Sequence, residues 1–484
     1  MTIRNQIMLI TYPDSMGKNL KELYEILDKH FQGIIGGLHI LPFFPSSADR
    51  GFAPTSYEIV DSAFGDWNDI KVLSDRYYLM VDFMINHIST DSLYFQDFLL
   101  NKEQSVYKDL FLRYKDFWPN KEPTQHDIDL IYKRKPRAPY LDVTFHDGTT
   151  EKVWCTFSDE QVDLAVSTQT TKAFICDTLQ KLSDHGASII RLDAFAYAIK
   201  KLGTNCFFVE PETFELLNYC QSIVKDKNVC ILPEIHEHYS IQMKLADRGY
   251  WVYDFALPLL LLNALYTGKN KNLVNWLKIC PRKQFTTLDT HDGIGVADVK
   301  GLMTQQEIDQ TTEFLFSKGA NVKRIYNTSV YNNLDVYQLN CTYYSALGDD
   351  DDAYLLARAI QFFAPGIPQI YYVGLLAGKN DITLLEKTKV GRDINRHYYS
   401  KKEVEREIER PLLCKMYQIM KFRNSFPAFD GDITIENTNK ENELEIKWVK
   451  GKSTAVLQAD LKTYFFKILY SSDGEAEKEL ILSC

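Results

Sequence analysis

Short apolar runs alternate with amphipathic segments along most of the chain, and this pattern predicts its secondary structure. Near-continuous hydrophobic runs are typical of parallel strands that are buried on both faces. The predicted strands are Ile7–Thr11, Gly37–Phe43, Tyr78–Asn86, Ser188–Asp193, Val229–Glu234, Val252–Phe255, Gln284–Leu288 and Ile367–Tyr372. The predicted helices include Leu20–Phe31, Thr171–Leu182, Phe214–Val224, Asn270–Ile279 and Ala353–Phe363. Because eight strands that alternate with helices can close on themselves, we predict an α/β fold of the (β/α)8 TIM-barrel class.

Two long intervals break this alternation, residues 88–167 after the third strand and residues 293–348 after the seventh. Both would leave the carboxyl-terminal face of the barrel, where enzymes of this class keep their chemistry. After residue 428 the pattern becomes short and alternating, as in a small β domain. The predicted domains are a barrel (1–87, 168–292 and 349–428), an inserted domain B (88–167), an inserted domain B′ (293–348) and a C-terminal β domain (429–484).

Carboxylates close three of the predicted strand regions. Asp193 ends one apolar strand, Glu234 ends the next, and Asp292 follows the seventh. A carboxylate that is simply buried costs several kcal/mol, so three at one face favour a functional interpretation. Glycosyl transfer with retention fits such a cluster, because it needs an ionised carboxylate as nucleophile and a protonated one as acid.

Other polar residues accompany these acids. Arg191 shares a strand face with Asp193 and is expected to hold that carboxylate ionised and oriented. His87 and His291 lie beside the acids and are interpreted as hydrogen-bond donors to sugar hydroxyls. The spacing of His236 and His238 is weak support for a metal site, so we expect no metal.

Composition removes several classes of function. With 55 basic and 65 acidic side chains the net charge is -10, which disfavours a nucleic-acid binder. The nine cysteines show no C-x-x-C spacing, so neither a disulfide framework nor a zinc ribbon is expected. The longest apolar stretch, Phe255–Leu265, is too short to cross a bilayer. We expect a cytoplasmic protein with neither a nucleic acid nor a membrane as partner and no cofactor; a homodimer is possible.

Four ordered stretches resemble the signature regions of glycoside hydrolase family 13, the α-amylase family: Asp82–His87, Arg191–Ala194, Glu234 and Asp289–Asp292. The resemblance implies Asp193 as nucleophile, Glu234 as general acid/base and Asp292 as transition-state stabiliser. Thr290 stands where ordinary amylases have Asn. The amylase calcium site is not carried over.

Further stretches are similar to the sucrose phosphorylases within that family, namely Leu41–Ser46, Asp49–Pro54, Phe64–Trp67, Pro233–His236, Tyr253–Pro258, Asn333–Gln338 and Gly391–Tyr399. This resemblance implies that Asp49 and Arg396 bind the far hydroxyls of a buried glucose. Its aromatic walls would be Phe52, Phe157 and Tyr197. An acceptor-side loop would carry Asp335, Tyr337 and Gln338.

A basic run over residues 132–137 is by itself most simply a solvated loop. By the resemblance, Arg137 would meet phosphate, with Tyr337 as its hydroxyl partner. The implied reaction converts sucrose and inorganic phosphate to α-glucose 1-phosphate and fructose through a glucosyl-enzyme on Asp193.

Three alternatives stay open. A phosphorylase of sucrose 6′-phosphate would share the barrel and the acids, and the basic run is compatible with it. A sucrose hydrolase or transglucosidase would release fructose without phosphate. A non-catalytic amylase-like binding barrel is disfavoured by the intact set of three acids.

Overall fold

The computed structural model describes residues 3–119, 122–134, 137–320, 338–436, 438–472 and 475–484. Its strands are β1 (Met8–Thr11), β2 (Gly37–Ile40), β3 (Tyr78–Met84), β4 (His87–Ser89), β5 (Tyr140–Thr144), β6 (Thr150–Trp154), β7 (Gln161–Asp163), β8 (Ala187–Asp193), β9 (Cys230–Pro233), β10 (Val252–Asp254), β11 (Gln284–Thr286), β12 (Ile294–Gly295), β13 (Gln338–Leu339), β14 (Ile367–Tyr371), β15 (Asp432–Ile435), β16 (Glu443–Lys450), β17 (Ser453–Asp460), β18 (Phe466–Ser471) and β19 (Lys478–Glu479).

Its α-helices are α1 (Leu20–His30), α2 (Trp67–Arg76), α3 (Leu93–Asn101), α4 (Tyr114–Phe117), α5 (Gln125–Leu130), α6 (Gln169–Asp184), α7 (Glu212–Val224), α8 (Ser240–Asp247), α9 (Leu257–Thr267), α10 (Lys271–Ile279), α11 (Gln305–Ser317), α12 (Tyr343–Ala346), α13 (Asp351–Phe363), α14 (Tyr372–Leu375), α15 (Ile382–Thr388), α16 (Lys401–Glu407) and α17 (Pro411–Ser425). Local chemistry sets several of the starts. Asp66 begins α2 with a capping box that includes Asp69, and Asp350 caps α13 by accepting a hydrogen bond from the Ala353 N–H. The acidic run 349–352 therefore lies at a helix start, where negative charge is favourable to the helix dipole.

The described chain divides into two compact units, each with its own parallel strands. In the unit formed by residues 40–235 the strand order is β3-β8-β9. In the unit formed by residues 3–39, 236–320 and 338–484 it is β10-β11-β14-β1-β2. These are the eight predicted strands, and the (β/α)8 prediction is confirmed.

Strand ends differ from the prediction where backbone chemistry intervenes. β2 ends at Ile40 rather than Phe43, because Pro42 follows and cannot donate a ladder hydrogen bond. β18 begins only at Phe466, because Tyr464 just before it adopts a left-handed φ of 61° that interrupts an extended strand. Hydrophobic periodicity does not register either effect.

The apolar stretch Phe255–Leu265 forms most of helix α9, which is buried along its length. A helix that is apolar all round packs inside a protein or inside a membrane. Within the described residues, the helices all fall short of the length and apolarity that a bilayer crossing needs.

The boundaries of the predicted inserted domains stay predictions. Between residues 88 and 167 the structure has short helices, the antiparallel pair β4–β7 and the hairpin β5–β6. An aromatic cluster around Tyr114, Trp118 and Trp154 packs this region. From residue 429 onward the antiparallel sheet β15–β19 matches the predicted C-terminal β domain in kind.

One cysteine prediction is wrong. Cys414 on α17 and Cys484 form a disulfide, although the spacing of the cysteines indicated none. The Gln418 side-chain amide donates to the Ser483 carbonyl over 2.5 Å and accepts from the Ser483 N–H over 3.3 Å. These two bonds bring Cys484 to a residue 70 positions earlier, a proximity that sequence spacing does not contain.

Candidate active site

Arg191 organises the acids at the ends of β3 and β8. These strands pair in parallel with Asp82 opposite Arg191 and Met84 opposite Asp193. The Arg191 Nη1 lies 2.5 Å from Asp82 Oδ1 and 2.8 Å from Asp193 Oδ1. Asp82 is fully buried and Asp193 is 14% exposed at its side chain. The guanidinium therefore fixes the orientation of Asp193, as predicted, and leaves that carboxylate accessible.

Glu234 lies beside the same arginine. Its Oε1 is 3.7 Å from Arg191 Nη2, and its Oε2 accepts a 3.0 Å hydrogen bond from the Ala194 N–H. Ala194 reaches this geometry in a left-handed conformation with φ 52°. Such strain costs on the order of 1–3 kcal/mol and concentrates at functional sites. The structure thus brings Asp193 and Glu234 together around one guanidinium.

Three predicted sugar-binding residues form one aromatic wall, defined as His87, Phe157 and Tyr197. The Phe157 ring lies 5.4 Å from His87 and 5.2 Å from Tyr197, edge to face in both pairs. The His87 Nε2 is 2.9 Å from the Phe52 carbonyl oxygen, so Phe52 joins this group through its backbone. The Phe52 ring itself lies 6.0 Å from the Arg191 guanidinium carbon.

The His87 imidazole is buried, and burial lowers its pKa. The anions of Asp163 and Asp49 act in the opposite direction, while the Lys200 cation again lowers the pKa. The ring is therefore neutral near pH 7, with one nitrogen to donate and one to accept.

Asp49 lies in a short 3-10 turn, Asp49–Gly51, and is exposed. Its φ of 46° and the φ of 51° at Arg50 are both left-handed. Two consecutive residues in this strained conformation are unusual, and backbone strain of this kind concentrates at functional sites.

In the other unit, a loop that carries Asp292 is held at several points. The Arg358 Nη2 donates to Asp289 Oδ1 over 2.7 Å, and both side chains are buried. Asn395 donates to the Thr290 carbonyl over 3.0 Å, and Arg396 Nε to the His291 carbonyl over 3.1 Å.

The Asp292 carboxylate has two charged or polar neighbours. Its Oδ1 lies 3.1 Å from Arg392 Nη1, and its Oδ2 lies 3.4 Å from His291 Nε2. The Asp292 side chain is 13% exposed, comparable with Asp193. The loop therefore presents a fixed and reachable carboxylate.

Arg396 is almost completely buried in the same unit. Its guanidinium carbon lies 5.7 Å from the Tyr12 ring, and Tyr12 meets the His291 ring edge to face at 6.1 Å. The cation–π contact with Tyr12 limits the orientations that this buried guanidinium can adopt.

His236 and His238 have separate surroundings. His236 stacks on Phe255 at 3.8 Å and has its Nδ1 3.5 Å from Asp298 Oδ2. His238 Nδ1 lies 2.9 Å from the Ser240 hydroxyl. The H-x-H spacing thus serves two different local contacts.

Comparison with known proteins identifies the family to which this fold belongs. The family model for the α-amylase catalytic domain matches residues 28–257. The sucrose phosphorylase of Streptococcus mutans is 58% identical over 91% of this chain and 92% of its own length. This chain belongs to the α-amylase family, glycoside hydrolase family 13.

Two further similarities refine the position within the α-amylase family. The sucrose 6(F)-phosphate phosphorylase of Thermoanaerobacterium thermosaccharolyticum is 44% identical over 99% of this chain and all of its own length. A crystal structure of a sucrose 6F-phosphate phosphorylase, from a source given as Thermoanaerobacter thermosaccharolyticum, superposes with a TM-score of 0.95 at 43% identity. It covers 99% of this chain and 98% of that one.

Two arginines of the basic run differ in their contacts in this α-amylase-family chain. Arg137 forms an ion pair with Asp159 and donates to the Tyr140 carbonyl over 2.6 Å. Arg134 instead donates to the Tyr197 hydroxyl and lies over the Tyr197 ring at 5.3 Å. The sequence singled out Arg137 and missed Arg134.

The acceptor-side residues are only partly described. Gln338 opens β13, which pairs with β12 so that Gln338 lies opposite Gly295, three residues after Asp292. Asp335 and Tyr337 lie outside the described residues.

Two residues that contact the site were also missed by sequence reasoning. Arg392 contacts Asp292, and the Gly391–Tyr399 stretch that contains it was quoted without a role for it. The Lys200 side chain is buried, donates a hydrogen bond to the Tyr197 carbonyl and forms an ion pair with Asp163. A buried lysine next to a predicted wall residue is a sequence signal only when its burial is known.

Proposed function

We propose that this chain is a sucrose phosphorylase that transfers glucose from sucrose to inorganic phosphate with net retention. The observation that carries the proposal is the pair of carboxylates around Arg191. Asp193 Oδ1 lies 2.8 Å from Arg191 Nη1, and the Glu234 carboxylate accepts a hydrogen bond from the Ala194 N–H. The 58% identity to a sucrose phosphorylase over most of both chains supports the substrate assignment.

In the first step Glu234 protonates the fructosyl oxygen while an Asp193 carboxylate oxygen bonds to C1 of glucose. The C1–oxygen bond of sucrose breaks and fructose leaves. Asp292 carries a negative charge that stabilises the cationic transition state. Arg191 limits the motion of Asp193 so that the attacking oxygen needs little reorganisation.

In the second step a phosphate oxygen attacks C1, the bond between C1 and the Asp193 carboxylate breaks, and the proton lost by phosphate returns to Glu234. We assign Arg137 to this phosphate, since guanidinium binds phosphate in bidentate fashion. Asp159 occupies Arg137 in the structure, but both side chains are largely exposed, at 41% and 62%. An ion pair of this kind contributes only about 0–1 kcal/mol, so phosphate can replace Asp159 at small cost.

Sucrose 6′-phosphate is the second candidate substrate, because a sucrose 6(F)-phosphate phosphorylase is 44% identical over nearly the whole chain. In that case the basic run around Arg134 and Arg137 would also serve the phosphate of the sugar.

Incubation with sucrose or sucrose 6′-phosphate, with and without phosphate, distinguishes the candidates. We expect glucose 1-phosphate from sucrose only when phosphate is present. Preferential turnover of sucrose 6′-phosphate would favour the second candidate, and fructose release independent of phosphate would indicate a hydrolase.

Two variants test the residue roles. Arg137→Ala is expected to slow phosphorolysis far more than formation of the glucosyl-enzyme, and an equal loss in both steps would reject the phosphate role. Asp193→Ala is expected to abolish both steps, and retained turnover would reject it as the nucleophile.

The proposal includes a cytoplasmic location, where phosphate is the acceptor, and Tyr337 as a second phosphate contact. The oligomeric state is tested by sedimentation of the full chain, with a homodimer as the expectation.

A further inference from the structure

A buried ion pair contacts the segments that carry the aromatic wall, and it has no role in the proposed reaction. Lys200 Nζ is 2.7 Å from Asp163 Oδ2, with side-chain exposures of 4% and 0%. A buried pair without a further role is rarely better for stability than an apolar pair of the same size. The location of this pair therefore calls for a functional reason.

Each contact of the pair reaches a residue next to one member of the wall. Lys200 donates to the Asn86 side-chain oxygen over 2.7 Å, and Asn86 precedes His87. Lys200 also donates to the backbone carbonyl of Tyr197 itself.

Asp163 completes the set. It accepts hydrogen bonds from the Thr156 N–H at 2.9 Å and the Thr156 hydroxyl at 2.5 Å, and Thr156 precedes Phe157. Asp163 also lies directly opposite His87 in the β4–β7 pair.

We infer that Lys200 and Asp163 are positioning residues that fix the relative placement of His87, Phe157 and Tyr197, and thereby the fit of the glucosyl unit. The three wall residues come from segments 40 to 110 positions apart along the chain. One ammonium and one carboxylate connect all three segments, so their loss lets the rings move independently. This inference rests on the proposed function, because the wall is assigned to glucose there.

The test compares Lys200→Met with the double variant Lys200→Met/Asp163→Asn. The single variant leaves a buried charge on Asp163 and is expected to lose stability. The double variant removes both charges and is expected to recover most of that stability. Neither variant can hold the three segments together, so both are expected to lose about 10- to 100-fold in kcat/KM for sucrose, because a misplacement near 1 Å costs about 100-fold. The KM for phosphate is expected to stay within about threefold of wild type, a margin that corresponds to about 0.6 kcal/mol.

The pH profile measures how the charges of this pair act on His87, while the kcat/KM of the double variant separates positioning from stability. The charged groups that act on His87 are Asp163, Asp49 and Lys200. Lys200→Met removes the cation that lowers the His87 pKa and keeps the anions that raise it. The acid limb of kcat/KM is then expected to move to higher pH in the single variant and back toward wild type in the double variant.

Arg113→Met is a matched control. Arg113 forms a largely buried ion pair with Glu151 in the same unit, with side-chain exposures of 10% and 7%, and the contacts described for this pair do not include the wall. We expect this variant to lose stability and to keep kcat/KM.

If the double variant recovers both stability and kcat/KM, the pair is only structural and the inference is wrong. If wild type itself shows no phosphate-dependent release of fructose, the proposed function fails instead. These two failures are distinguished by the wild-type assay alone.

Discussion

Replacement of Arg358 by Met tests how the Asp292 loop is supported. Arg358 is fully buried and donates to Asp289 Oδ1 at 2.7 Å, to the Tyr354 hydroxyl at 2.9 Å and to Gln361 Oε1 at 2.8 Å. Methionine fills much of the volume but leaves the Asp289 carboxylate, 1% exposed, without its counter-charge.

The expected cost follows from that unpaired charge. Removing one partner of a buried ion pair costs about 3–5 kcal/mol. At about 2.1 cal/mol/K per residue, a cooperative chain of 484 residues unfolds with an entropy of about 1 kcal/mol/K. The melting temperature of Arg358→Met is therefore expected to fall by about 3–5 °C.

Differential scanning calorimetry at pH 7 measures this shift. The control is Arg358→Met/Asp289→Asn, which removes the charge as well and is expected to recover more than half of the loss. Glucosyl-enzyme formation should fall in the single variant, because Asp292 lies three residues from Asp289 on the same loop. A melting temperature within about 1 °C of wild type, or a double variant no better than the single one, would refute the reasoning.

Three further predictions concern other parts of the chain. Arg392→Gln removes the guanidinium that lies 3.1 Å from Asp292. It should slow the single-turnover release of fructose about tenfold, which is equivalent to about 1.4 kcal/mol. A change below twofold would contradict this role. Burial raises the pKa of Asp254 from 3.8 to about 6, so the folded state binds this proton more tightly, and stability should fall by about 3 kcal/mol as pH rises from about 4 to 6. Urea unfolding of Asp254→Asn should lack this part of the slope, and an unchanged slope would reject it. Cys484→Ser opens the disulfide to Cys414 across 70 positions and should lower stability by about 4 kcal/mol, matching reduced wild type; equal melting of the variant and oxidised wild type would contradict this.

Much of the fold followed from local patterns. All eight strands begin and end within three residues of the predicted bounds, because burial on both faces leaves a continuous apolar run that is visible in sequence. The predicted helix starts lie within two residues of the observed ones, as with α6, where Thr168 caps a helix predicted to begin at Thr171. A helix cap involves only one or two residues, so the hydrophobic periodicity of the helix does not locate it.

For the site as well, the sequence predicted contacts within one strand but not contacts between distant segments. Arg191 and Asp193 are two residues apart on one strand, so their shared face was predictable from the alternation of side chains. The contact of Arg137 with Asp159 and that of Arg392 with Asp292 join residues far apart or in loops, where no period applies.

The sequence by itself determined the strands and the helices to within a few residues, since these depend on side-chain periodicity and on local backbone sterics. Only the tertiary structure decided which distant charged groups neutralise one another, Lys200 with Asp163 and Arg358 with Asp289, and which cysteines form a disulfide, Cys484 with Cys414. The physical reason is that desolvation makes a buried charge costly unless a partner is within a few ångströms, and chain distance gives no measure of that separation.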